Sequence, residues 1–145
     1  MNVVQVISAI KAELPNAVII PMDEDYAIPT RNWILGPFSR AIDANLSRLG
    51  LSGWRSSSWD CDKFVRLAWF TAAVIHARTA PESKQGYAIG WMIYMRENGD
   101  ANPPSPHSIN LAVLRASRLL YYEPQAKAEI RLQAPEKDSC TVVVI

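Results

Sequence analysis

Cys61-Asp62-Lys63-Phe64-Val65-Arg66-Leu67-Ala68-Trp69-Phe70-Thr71-Ala72-Ala73-Val74-Ile75-His76-Ala77 is the stretch on which the fold turns. Its apolar side chains fall almost all round a helix instead of along one stripe, the pattern of a helix surrounded by protein. Asp60 stands just before it and is a good N-cap residue. The expectation is a central buried helix with Cys61 in its first turn.

Downstream the period changes. Tyr87–Tyr94 is an aromatic-rich apolar segment expected as a strand, and Glu97–Pro106 is a polar loop with three prolines. Ser108–Leu114, Leu119–Glu123, Ala128–Leu132 and Thr141–Ile145 then give four further strands. Upstream, Val3, Val6, Ile7, Ile10 and Leu14 form one stripe of a helix ended by Pro15. Ala17–Ile20 is a short strand candidate, and Trp33–Leu49 is expected to be helical in its second half. Helices first and strands later predict an α+β fold, with the central helix packed on an antiparallel sheet in one domain over residues 1–145.

Fifteen basic and 14 acidic residues leave a net charge of +1, and no basic stripe points to nucleic acid as a partner. No apolar run reaches the 18 or so residues of a membrane span, and residues 1–5 do not resemble a signal peptide. A cytoplasmic, reducing location follows as the expectation. Cys61 and Cys140 are therefore expected as free thiols.

Cys61 has the better position for reactivity, because unpaired N–H groups and the macrodipole at a helix start favour a thiolate. Asp60 and Asp62 oppose this by like charge. His76 lies roughly 22 Å along the same helix and cannot reach the thiol. His107 alternates with Ile109, Leu111 and Val113 on the apolar side of its strand, the side expected to meet the buried helix. With a turn at Arg115–Arg118, Asn110 is expected opposite Glu123, which brings Glu123 and Gln125 within about one diagonal step of His107. Either could orient the imidazole, and Glu123 is the first choice.

Asp60-Cys61-Asp62, Pro106-His107-Ser108-Ile109-Asn110 and Tyr122-Glu123-Pro124-Gln125 together resemble the papain-like cysteine protease domain at the C-terminus of a fungal, Marasmius-type agglutinin. Small phage-encoded relatives share the pattern. The resemblance runs over roughly residues 20–126 and rests on three short motifs. It implies a Cys61–His107–Glu123 triad acting through an acyl-enzyme on a peptide or protein. It also implies calcium or manganese near Asp60, Asp62 and Gln125, although Lys63 stands where that family tends to carry a further aspartate.

Blander readings apply to the same residues. Cys61 could be a small buried residue, His107 a core histidine and Glu123 a solvated strand end. Trp54 and Trp59 flank a Ser-rich loop next to Cys61 and could line a substrate cleft. Trp33, Trp69 and Trp91 are expected in the core, His76 as structural or at the surface, and Asp23–Asp25 in a solvated turn. The competing function is a non-catalytic interaction or inhibitor protein that binds a protein partner on the same scaffold.

Overall fold

A computed structural model describes residues 1–51, 60–97 and 103–145. Trp54 and Trp59, expected at a substrate cleft, lie outside the described residues. Helix α1 (Val3–Glu13) starts with a capping box, in which the Asn2 side chain accepts from the Gln5 N–H and Gln5 accepts from the Asn2 N–H. Strand β1 (Val18–Ile20) and the two-residue strand β2 (Tyr26–Ala27) follow.

The next helical stretch begins earlier than expected. Helix α2 (Arg31–Trp33) is capped by the Thr30 hydroxyl and runs through a π-helical turn, Ile34–Phe38, into α3 (Ser39–Arg48). Pro37 explains the turn: it has no N–H to donate, so the ladder widens, and the Ser39 N–H reaches back to the Ile34 carbonyl. The Ser39 hydroxyl donates to that carbonyl as well, and also bonds the Tyr122 hydroxyl.

Helix α4 (Cys61–Thr79) covers the expected central helix, with one correction. It is buried along a single face, through Phe64, Val65, Ala68, Thr71 and Ala72, while Phe70 is 64% exposed. A helix that packs on one side of a sheet has one face to bury, however apolar its remaining positions are.

Strands β3 (Gly86–Tyr87), β4 (Ile89–Arg96), β5 (Ser105–Val113), β6 (Leu119–Glu123), β7 (Ala128–Ile130) and β8 (Val142–Val144) complete the chain, with a short helix α5 (Ala134–Asp138) before β8. The main sheet runs β1-β8-β4-β5-β6-β7. The expected antiparallel sheet is corrected to a mixed one, because β1 pairs parallel to β8. β2 and β3 form a separate parallel ribbon that sequence periodicity did not foretell, since two residues carry no period.

Two apolar clusters sit on opposite sides of the sheet. Met92, Tyr94, Ile109, Leu111, Val113 and Tyr121 pack against α1 through Val6, Ile10 and Leu14. Ile89, Ala112, Leu120 and Tyr122 pack against Phe38, Ile42, Phe64 and Ala68 of α3, α4 and the π turn. Alternation along β5 thus sends odd-numbered positions to α1 and even-numbered ones to α4.

Burial of weak acids gives the fold an alkaline limit. Burial pushes the Cys140 thiol up to about 11 and raises Tyr94 and Tyr121 well above the usual phenol range. Each of these groups is kept neutral by folding, so above pH 9 the unfolded chain loses its protons first and stability falls as pH rises. Cys140 alone should cost about 2 kcal/mol between pH 9 and 11. Urea midpoints measured across that range, in wild type and Cys140→Ala, check this. A wild-type midpoint that stays flat would refute it.

Candidate functional site

The two residues expected to pair do so. His107 Nε2 lies 2.6 Å from Glu123 Oε2, with the two side chains 12% and 8% exposed. A carboxylate accepts, so Nε2 carries the proton and Nδ1 remains to face elsewhere. The Gln125 N–H donates to the other Glu123 oxygen at 3.2 Å. Gln125 thus serves through its backbone, and the alternative of Gln125 as the imidazole's own partner falls away.

The reason for this pairing differs from the one expected. Asn110 faces Tyr122, not Glu123, a shift of one residue in register. A one-residue shift moves every side chain to the other face of the sheet. It places Glu123 on the side shared by Ile109 and His107, where the contact forms. Tyr94, directly opposite His107, adds an edge-on ring contact at 5.8 Å.

That side is the α1 side, which corrects the expectation that His107 meets the central helix. α4 packs on the opposite side, where Asn110 donates from Nδ2 to the Val65 and Gly90 carbonyls. Cys61 stands at the head of α4, half-buried, and is close enough that its charge would add a small upward push on the Tyr94 phenol. No hydrogen bond joins Cys61 to His107 among the described residues.

Asp60 and Asp62, implied as metal ligands, already hold a cation. Lys63 Nζ donates to Asp60 Oδ1 at 2.7 Å and to Asp62 Oδ1 at 3.1 Å, and Arg66 lies 3.7 Å from the other Asp62 oxygen. Hydrogen bonds to Asp60 and then Asp62 raise the Lys63 pKa, so the ammonium stays charged. Calcium or manganese coordinated by Asp60, Asp62 and Gln125 does not fit while that ammonium occupies the carboxylates. Among the described residues no three His, Cys, Asp or Glu side chains gather as a ligand set.

A different place has the form of a ligand site. A cavity of about 260 Å³ lies between the second half of α4 and the β2–β3 ribbon. Trp69, Ala72, Ala73, His76 and Ala77 line it from the helix, and Asp23, Ser83, Gln85 and Tyr87 line it from the ribbon side. The His76 and Tyr87 rings stack at 4.8 Å, and His76 Nε2 bonds the Gln85 carbonyl at 3.0 Å. Gly86 admits the Asp23 carboxylate: a Cβ there would fall 2.0 Å from Asp23 Oδ2.

From the sequence, Trp69 is expected in the core, His76 as structural or at the surface, and Asp23 in a solvated turn. One signal was available, since Trp69, Ala72, Ala73 and His76 recur at helical spacing on one face. Nothing in the sequence places Asp23 across from that face.

No protein-family model matches the chain, and no curated protein matches it. Solved structures do. A structure described as a PSL1a–E64 complex matches at a TM-score of 0.71 and 21% identity, over 100% of this chain and 51% of that one. A Polyporus squamosus lectin bound to the glycan Neu5Acα2-6Galβ1-4GlcNAc matches at a TM-score of 0.73 and 21% identity, over 98% of this chain and 48% of that one. The chain therefore spans about half the length of the solved chains it matches, and the likeness is one of fold.

These matches correct the papain-like assignment. The molecule bound in the lectin structure is a glycan. The thiol hydrolase, its acyl-enzyme and its peptide or protein substrate are withdrawn with that assignment. No helix among the described residues is long and apolar enough to cross a membrane.

Proposed function

We propose that the chain is a glycan-binding module whose saccharide site is the cavity between α4 and the β2–β3 ribbon. The observation that carries this reading is the make-up of that cavity, which brings an aromatic ring from each wall, Trp69 of α4 and Tyr87 of β3, together with the hydrogen-bonding groups of the ribbon side. A sugar ring has an apolar C–H face that packs on an indole or phenol and a rim of hydroxyls that needs acceptors. Trp69 and Tyr87 supply the first, and Asp23, Ser83 and Gln85 supply the second. The fold shared with half of a lectin chain supports the same reading.

Size and charge narrow the ligand. At about 260 Å³ the cavity falls just below the usual pocket range of about 300–1,000 Å³, which suits one sugar residue instead of an oligosaccharide. The lining carries the Asp23 carboxylate and no lysine or arginine. A sialic acid carboxylate would meet Asp23 as a like charge. The preferred ligand is a neutral hexose or N-acetylhexosamine.

Calorimetric titration of the full chain with a panel of neutral and sialylated saccharides tests this. Neutral sugars should bind with a Kd of about 10⁻⁴ to 10⁻³ M, corresponding to about −4 to −5.5 kcal/mol. Trp69→Ala and Asp23→Asn should each weaken binding about tenfold, the equivalent of one lost stacking or charged hydrogen-bond contact. E64, the ligand named for PSL1a, belongs in the same panel. If E64 binds and no saccharide does, or if both variants bind sugar as wild type does, the glycan reading is lost.

A further inference from the structure

We propose that Lys63 and Arg66 take the place of a divalent cation at the head of α4, so that this chain holds its paired carboxylates without metal. The ammonium of Lys63 bridges Asp60 Oδ1 and Asp62 Oδ1 at 2.7 and 3.1 Å, the position a shared cation would take between them. Arg66, one turn further along, approaches Asp62 Oδ2 at 3.7 Å. Two positive side chains thus balance two carboxylates, the same charge that one divalent ion would bring.

The arrangement follows from helical spacing. Asp60 as N-cap, Asp62 in the first turn and Lys63 three residues after the cap bring all three side chains to one end of the helix. Asp62 and Arg66 are then related by the favourable acid-before-base spacing of four. A calcium or manganese ion needs several oxygen donors at about 2.1–2.6 Å and could enter only by expelling the ammonium. A hard divalent ion would then sit beside two cations, which repel it.

Thermal unfolding of the full chain in EDTA and in millimolar calcium or manganese tests this, with manganese binding followed by electron spin resonance. The wild-type midpoint should be the same in all three conditions, with no saturable manganese binding. Lys63→Asp supplies a third carboxylate and removes the resident cation. It should bind manganese and gain about 4 °C when the ion is present at tenfold its Kd. Lys63→Gln in EDTA should melt below wild type, because the two carboxylates then face each other uncompensated. A Lys63→Asp chain that folds only with metal is the expected result in stronger form. Saturable manganese binding by wild type, an EDTA-sensitive wild-type midpoint, or a Lys63→Asp chain indifferent to metal, folded or unfolded, overturns the proposal.

Discussion

Gly90→Ala destabilises the chain by about 3 kcal/mol, the upper end of what one added methyl costs in a packed interior. Gly90 lies in β4, beside the end of β8. A Cβ there would stand 2.1 Å from the Val144 carbonyl oxygen and 3.0 Å from the Ile145 Cα. Both are backbone atoms, so no rotamer change relieves the contact. The C-terminal strand must move away, and several bonds depend on it. Val144 pairs with Trp91, the Met22 N–H donates to the Ile145 carbonyl at 2.6 Å, and the Tyr26 hydroxyl donates to the same oxygen at 2.9 Å.

Gly36→Ala is the matched control. A Cβ at Gly36 meets only the end of the Arg40 side chain at 3.7 Å, and the residue is helical. That substitution should be neutral or stabilising by up to about 1 kcal/mol. Urea denaturation of both variants gives the comparison. A Gly90→Ala cost below about 1 kcal/mol would mean that β8 is not held against β4 as described.

Glu123→Ala is the second large effect, also about 3 kcal/mol. It strips the Nε2 partner from a largely buried imidazole and leaves the Gln125 N–H without its acceptor. Glu123→Gln keeps an acceptor of the same shape and should cost about 1 kcal/mol. A double-mutant cycle with His107→Ala isolates the pair, with an expected coupling of about 2 kcal/mol. If the two single losses simply add, the 2.6 Å contact contributes nothing to stability. The cycle bears on the framework and leaves the sugar cavity untouched, so saccharide affinity should survive wherever the variant folds.

The site was legible unevenly. Strand alternation points to His107, whereas Glu123 rests on an assumed hairpin register and the resemblance; the two side chains meet. Their meeting was inferred from a hairpin register one residue out, and that register would have put them on opposite sides of the sheet. The turn decides this: Ala116 and Ser117 both adopt positive φ, at 57° and 56°, and the Leu114 N–H donates to the Arg118 carbonyl at 2.8 Å. Neither residue type announces that conformation in advance. Cys61 was placed correctly at a helix head, yet its helix packs on the side of the sheet away from His107.

The sequence by itself determined the elements whose periods are long enough to carry a signal: α1, α4, and the strands β5 and β6. It determined also the local chemistry at the start of α4, where Asp60, Asp62, Lys63 and Arg66 are fixed by helical spacing alone. Tertiary structure decided what no local period encodes. It chose which side of the sheet each helix covers and joined β1 to β8 across the length of the chain. It also carried Asp23 over Gly86 to face Trp69 and His76, forming the cavity. The physical reason is common to all three. Side-chain direction follows from neighbours in sequence, whereas the partner a side chain meets follows from burial of surfaces far apart in the chain.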